Sequence, residues 1–123
     1  MLVDVEALVT SNTLLSPDYN VVALEVPEIA NIAKPGQFVM VKPTHATHPF
    51  LRRPFSVFEI LRDPYGSPRG VSLLNKQVGS VTRLIFDLKP GHRMRCLGPL
   101  GRPFTPLSES TSAWMVAGGV GLA

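Results

Sequence analysis

A single cysteine in 123 residues, Cys96, leaves no material for a disulfide framework, a cysteine-rich metal site or an iron–sulfur cluster within this chain. That usage fits a reducing compartment, and the cytoplasm is the expected location. No run reaches the ~18 apolar residues that a membrane span requires. At the start, Met1-Leu-Val-Asp-Val-Glu6 sets acids where a signal peptide carries bases and then an apolar run. Charge is sparse as well, at 17%, and 12 Lys and Arg against 9 Asp and Glu make a formal +3 that serves a bound phosphate, nucleic acid or plain solvation alike. Aromatic residues are few: the 6 Phe, 2 Tyr and 1 Trp fall mostly in apolar runs instead of alternating with basic residues on one face. This weighs against a nucleic-acid-binding β-barrel built on Arg52, Arg53, Arg93 and Arg95, which stands as the alternative from another functional class.

What the chain has in excess is breakers. Its 12 prolines, against an average usage of roughly 5%, and its 10 glycines cut a 45% apolar sequence into short pieces and exclude a helical bundle. Val3, Val5, Ala7 and Val9 alternate with Asp4, Glu6 and Leu8, and Val22, Leu24 and Val26 alternate with Ala23 and Glu25, which is the period of half-buried strands. Further apolar runs at residues 38–41, 55–58 with Ile60, 71–74 and 94–97 complete six strands. The expected fold is therefore all-β, a six-stranded antiparallel barrel. One short helix is expected over residues 80–88, where Val81, Leu84, Ile85 and Leu88 make a buried stripe before Pro90 and Gly91 stop it. Residues 1–102 are read as the barrel and 103–112, with two prolines and five Ser/Thr, as a linker. Residues 113–123 are read as the first strand and glycine loop of an incomplete α/β nucleotide-binding domain.

Two segments carry chemistry. Arg53-Pro-Phe-Ser56 sets a forked cationic donor, a rigid kink, an aromatic face and a hydroxyl within one strand, a set suited to a flavin dinucleotide or, blandly, to an edge strand with a solvated arginine. The helix start at Gly79, Ser80, Val81 and Thr82 offers unpaired N–H groups and hydroxyls to an anion, or is an ordinary cap. The remaining candidates are weaker. Gly118, Gly119 and Gly121 follow an apolar run as a dinucleotide loop does, yet no helix follows them here. His45 and His48 are spaced to hold a metal, but no carboxylate or cysteine accompanies them, so a solvated loop is favoured and no metal is expected. Cys96 is expected to point into the barrel, Trp114 to be core, and no catalytic constellation stands out.

Taken in order, Pro35-Gly-Gln-Phe38, Arg52-Arg-Pro-Phe-Ser56, Gly79-Ser-Val-Thr-Arg-Leu84, Lys89-Pro-Gly91, Gly98-Pro-Leu-Gly101 and Gly118-Gly-Val-Gly-Leu-Ala123 resemble the ferredoxin reductase-type flavoproteins. The similarity is strongest to the electron-transfer subunits of dihydroorotate dehydrogenases and runs from about residue 5 to the end. It implies a Greek-key barrel that binds FAD, with Arg53, Pro54, Phe55 and Ser56 lining the flavin and its phosphates, Leu74, Asn75 and Lys76 beside it, and Gly79 to Thr82 holding the pyrophosphate. Gly118, Gly119 and Gly121 match the opening of the family's NAD-binding domain. Phe55 stands where many members carry tyrosine, and Val81 where many carry glycine. NAD and a 2Fe–2S cluster are expected only in full-length members, whose cluster cysteines lie beyond the end of this chain, so the chain reads as an oxidoreductase component not active alone. The implied partner is a catalytic dihydroorotate dehydrogenase subunit of pyrimidine biosynthesis. An NAD(P)-linked ferredoxin or sulfide oxidoreductase subunit is the alternative.

Overall fold

The alternation at the N-terminus does build strands. β1 (Val3–Leu14) turns Ala7 and Val9 inward and leaves Asp4 and Glu6 exposed, and β2 (Tyr19–Glu25) buries Asn20, Val22 and Leu24 in the same period. The computed structural model describes residues 1–45, 51–109 and 112–123. Five more strands follow: β3 (Phe38–Pro43), β4 (Arg53–Ser56), β5 (Glu59–Arg62), β6 (Pro68–Lys76) and β7 (Arg93–Leu100). All pair antiparallel in one sheet of order β4-β3-β7-β1-β2-β6-β5, so strands distant in the chain lie side by side, as in a Greek key. Beside these strands the chain forms two short helices, α1 (Pro27–Ala30) and α2 (Ser80–Phe86). Among the described residues no helix is long and apolar enough to cross a membrane.

The strand count is seven where the apolar runs predict six. The run at residues 55–60 is broken at Val57 and Phe58 into two strands that pair with opposite edges of the sheet. The Val57 N–H donates to the carbonyl of Gln37 beside β3 (3.1 Å), and the next N–H, that of Phe58, donates to Ser72 in β6 (2.9 Å). This corner curls the sheet so that β4 lies against β6. Inside the curl, Val39 and Val41 of β3, Val71 and Leu73 of β6, and Met94 and Cys96 of β7 meet Val81, Ile85 and Leu88 from α2 and its end, and Ile29 and Ala30 from α1. The apolar stripe on residues 80–88 is thus a core face, although the helix itself closes at Phe86 with Asp87 as its C-cap.

The segment after β7 departs from its sequence pattern. Residues 113–117 form no strand, and Trp114, Met115 and Val116 are 93%, 93% and 90% exposed. An apolar run pairs as a strand only where a neighbouring edge accepts it, and among the described residues none does. Trp114 is correspondingly not a core residue, and residues 119–122 make a single 3-10 turn (η1, Gly119–Leu122) in which only Gly119 has positive φ, +58°.

Candidate functional site

β4 and the second half of β6 face one another without a ladder between them. β4 pairs only with β3, and β6 pairs with β5 only from Pro68 to Ser72, although it continues along β2 as far as Lys76. Both strands therefore present an unpaired backbone edge to the same seam. Pro54 suits this position, because a residue with no N–H is tolerated at an edge and holds its predecessor, Arg53, in extended geometry. The sheet thus brings β4, Arg53 to Ser56, against β6, the strand that ends in Leu74, Asn75 and Lys76. α2 begins three residues after β6 ends, and η1 with its glycines also rests on β6.

The side chains divide into those that face the seam and those that support it. Arg53 and Ser56 are exposed, and among the described residues the Arg53 guanidinium hydrogen-bonds only to the Leu51 carbonyl, 3.1 Å from Nη1. Phe55 is half-buried against the core, so its ring buttresses the strand. The Lys76 ammonium sits 5.6 Å from the centroid of the Tyr19 ring. Among the described residues neither Arg53 nor Lys76 is ion-paired, whereas Arg52, Arg69, Arg93 and Arg95 each have a carboxylate within 4.0 Å. Two cations without counter-charge therefore flank the seam, and three of the four arginines that a nucleic-acid surface would need are already neutralised.

Asn75 is completely buried, and its amide does structural work. Its Nδ2 donates to Asn20 Oδ1 and to the Thr82 carbonyl, both at 2.9 Å; Asn20 in turn donates to Asn12 Oδ1 at 2.8 Å, and Asn12 Nδ2 to the carbonyls of Phe86 (2.9 Å) and Leu88 (2.7 Å). Three asparagines from three strands thereby hold α2 against the sheet and cap the carbonyls at its C-terminal end. Asn12 and Asn20 were not legible as site residues; their one signal is an amide at strand positions where the alternation calls for an apolar residue. Thr82 is occupied too. Its Oγ1 accepts the N–H groups of Val78 (2.9 Å) and Gly79 (2.8 Å), which shapes the turn into α2. Leu74 is buried outside the core cluster, and Val81 is buried within it, so only the main chain of Val81 is available to a ligand.

A groove of about 1050 Å³ opens at the Ser56 end of β4, lined by Lys34 to Gln37, Ser56 to Ile60 and the exposed tail. Gly118 and Gly121 are exposed, and Gly119 stacks its turn near the Tyr19 hydroxyl. His45 packs its ring on His92 with centroids 4.7 Å apart, His48 lies outside the described residues, and among the described residues no cluster of three metal-ligating side chains exists. Cys96 is buried, and that burial pushes its thiol up to about 12, leaving a small apolar core group with no thiolate at neutral pH.

No protein-family model matches the chain. It is 40% identical over 96% of its length to the dihydroorotate dehydrogenase B (NAD(+)) electron transfer subunit of Desulforamulus reducens, and 33% identical over its whole length to the homolog of that subunit in Aquifex aeolicus. The chain spans under half the length of these relatives, 44% and 47%. Among solved structures, the ferredoxin reductase in carbazole 1,9a-dioxygenase superposes with a TM-score of 0.69 at 23% identity, covering 81% of this chain and 29% of that one. The NADH-dependent reduced ferredoxin-NADP oxidoreductase superposes with a TM-score of 0.67 at 24% identity, over 80% and 34% of the two chains. At such identities the structures establish the fold, and the sequence relatives establish descent. The chain is a homologue of part of the dihydroorotate dehydrogenase B electron transfer subunits and folds as the β-barrel of the ferredoxin reductase type.

Proposed function

We propose that the chain is the FAD-binding part of an electron-transfer flavoprotein, with the cofactor lying along the seam between β4 and β6. The observation that carries this is the pair of unpaired strand edges flanked by Arg53 and Lys76, two cations without a carboxylate partner among the described residues. A planar ring with donors and acceptors on its rim satisfies such edges, and a pyrophosphate satisfies the cations. Arg53 forks onto the pyrophosphate, Ser56 and the main chain of Pro54 and Phe55 run along the flavin, and the amides of Ser80 and Val81 face the phosphates across the turn at Gly79, whose own N–H is held by Thr82. Leu74, Asn75 and Thr82 act from behind, by holding β6 and the turn into α2. Bound there, the flavin supplies hydride acceptance and single-electron release, while the protein supplies position and electrostatics.

The relatives are more than twice as long as this chain's match to them. We assign residues 1–102 to the flavin barrel, 103–112 to a linker and 113–123 to the opening of a nucleotide-binding domain, whose loop would use Gly118, Gly119 and Gly121 toward NAD. The intact protein would then pass electrons between NAD(H) and a catalytic dihydroorotate dehydrogenase subunit, a reading supported by relatives named as electron transfer subunits of dihydroorotate dehydrogenase B (NAD(+)). The experiment is incubation with FAD followed by gel filtration: the flavin is expected to elute with the chain, and a folded chain that elutes colourless refutes the proposal. Co-purification with a dihydroorotate-oxidising subunit, as against another oxidoreductase, decides the partner.

A further inference from the structure

Arg53 is useful to an anionic ligand only if its backbone is held still, and β4 holds it by one ladder alone, to β3, where Arg53 lies opposite Val41 at the strand's first position. The strand is four residues long, exposed at three of them, and paired on one side only. A second constraint comes from the preceding residue. Arg52 Nη2 lies 3.0 Å from Asp4 Oδ1 and 2.9 Å from Oδ2, spanning 48 positions of sequence to reach β1, and Arg95 of β7 approaches the same carboxylate at 3.3 Å. The Arg52 side chain is only 22% exposed, and its Nη1 is shut off from solvent with no hydrogen-bond partner among the described residues. Asp4 is thus, among the described residues, the one carboxylate that compensates a half-sequestered guanidinium. Without it, Arg52 faces Arg95 with a lost hydration shell and no anion, and it has reason to swing outward. Arg53 in turn is tied by Nη1 to the carbonyl of Leu51, so its head is braced on the backbone that Arg52 anchors.

We infer that Asp4 is a positioning residue for the cofactor's phosphates: it clamps Arg52 and thereby fixes the segment from which Arg53 projects, without itself touching the ligand. This rests on the flavin assignment above. A carboxylate on β1 would then set affinity for the dinucleotide's charged half while leaving the isoalloxazine half indifferent, because only Arg53 is displaced when the clamp opens.

The test is a double-mutant cycle on the full chain with FAD and riboflavin as probes, binding being read by flavin fluorescence. Asp4→Asn keeps the size of the side chain and removes the charge. It is expected to raise the Kd for FAD about three- to tenfold, to leave riboflavin binding unchanged, and to add nothing further in an Arg53→Ala background. Arg52→Gln is expected to reproduce that pattern. An equal loss for FAD and riboflavin, or a full additional loss on top of Arg53→Ala, overturns the inference in favour of a purely structural ion pair. A wild-type chain that binds FAD and an Asp4→Asn chain that binds it equally well also overturn it. A folded wild-type chain that binds no FAD overturns the flavin assignment and this inference with it.

Discussion

Arg53→Ala is expected to weaken FAD binding by roughly 2 to 4 kcal/mol, a loss of about thirtyfold to a thousandfold, with the fold intact. The size follows from what the side chain gives and from what it does not. Among the described residues its guanidinium makes one hydrogen bond, to the Leu51 carbonyl, and no ion pair, so removing it costs the protein little. On a pyrophosphate the same group offers two parallel charge-assisted bonds at the edge of a sheet where the backbone is also unpaired. Arg53→Lys keeps the charge but not the fork and should recover only part of the loss. Isothermal titration or flavin fluorescence reads the affinity and circular dichroism the fold. Unchanged affinity in a folded Arg53→Ala chain removes that arginine from the site.

The second large effect concerns the frame. Gly70 lies in β6 between Glu25 of β2 and Leu61 of β5, and a Cβ built there would stand 2.0 Å from the Leu24 carbonyl oxygen. The obstacle is backbone inside a ladder, so no rotamer change relieves it. Gly70→Ala is therefore expected to cost about 2 to 4 kcal/mol, which for a domain of this size lowers Tm by roughly 8 to 20 °C. Two other glycines are the controls. Gly79 has extended φ and open space around the same hypothetical atom, so Gly79→Ala should be near neutral for stability; Gly66 has φ of +85° and equally open space, so Gly66→Ala should cost only the strain of that conformation, about 1 kcal/mol. Thermal melts of the three variants separate steric from conformational causes. A Gly70→Ala melt within a degree or two of wild type would contradict the close approach of β2 and β6.

Short-range physics was legible in the amino-acid order, and long-range geometry was not. Val3 to Val9 and Val22 to Val26 alternate because one face of a strand is buried, and Val81, Ile85 and Leu88 recur because one face of α2 and its end is, while Leu84 of the same expected stripe is only half-buried and outside the core cluster. Such periods are local and survive into the fold. The seam is not local. It depends on a corner at Val57 and Phe58, where two successive N–H groups bond to strands at opposite ends of the sheet, and no property of the run at residues 55–60 marks that break. The Arg52–Asp4 clamp is invisible for the same reason, with partners 48 positions apart; in the asparagine chain only Asn12 and Asn20 are near in sequence, while Asn75 is 55 positions from Asn20 and the Phe86 carbonyl 74 from Asn12. At residues 113–117 composition misled: Trp114 and its neighbours have the make-up of a buried strand, but burial requires a surface to pack against, and their side chains stand in solvent.

Hydrogen–deuterium exchange with and without FAD tests directly whether a flavin dinucleotide lies in the seam between β4 and β6, because the backbone edges there are unpaired in the free chain and would be covered in the complex. Slower exchange is expected in residues 53–58 and 74–82 when FAD is present, with β1 and β7 unchanged beyond the Asp4 region. Protection confined to the groove under the tail, or spread evenly over the barrel, would contradict that placement.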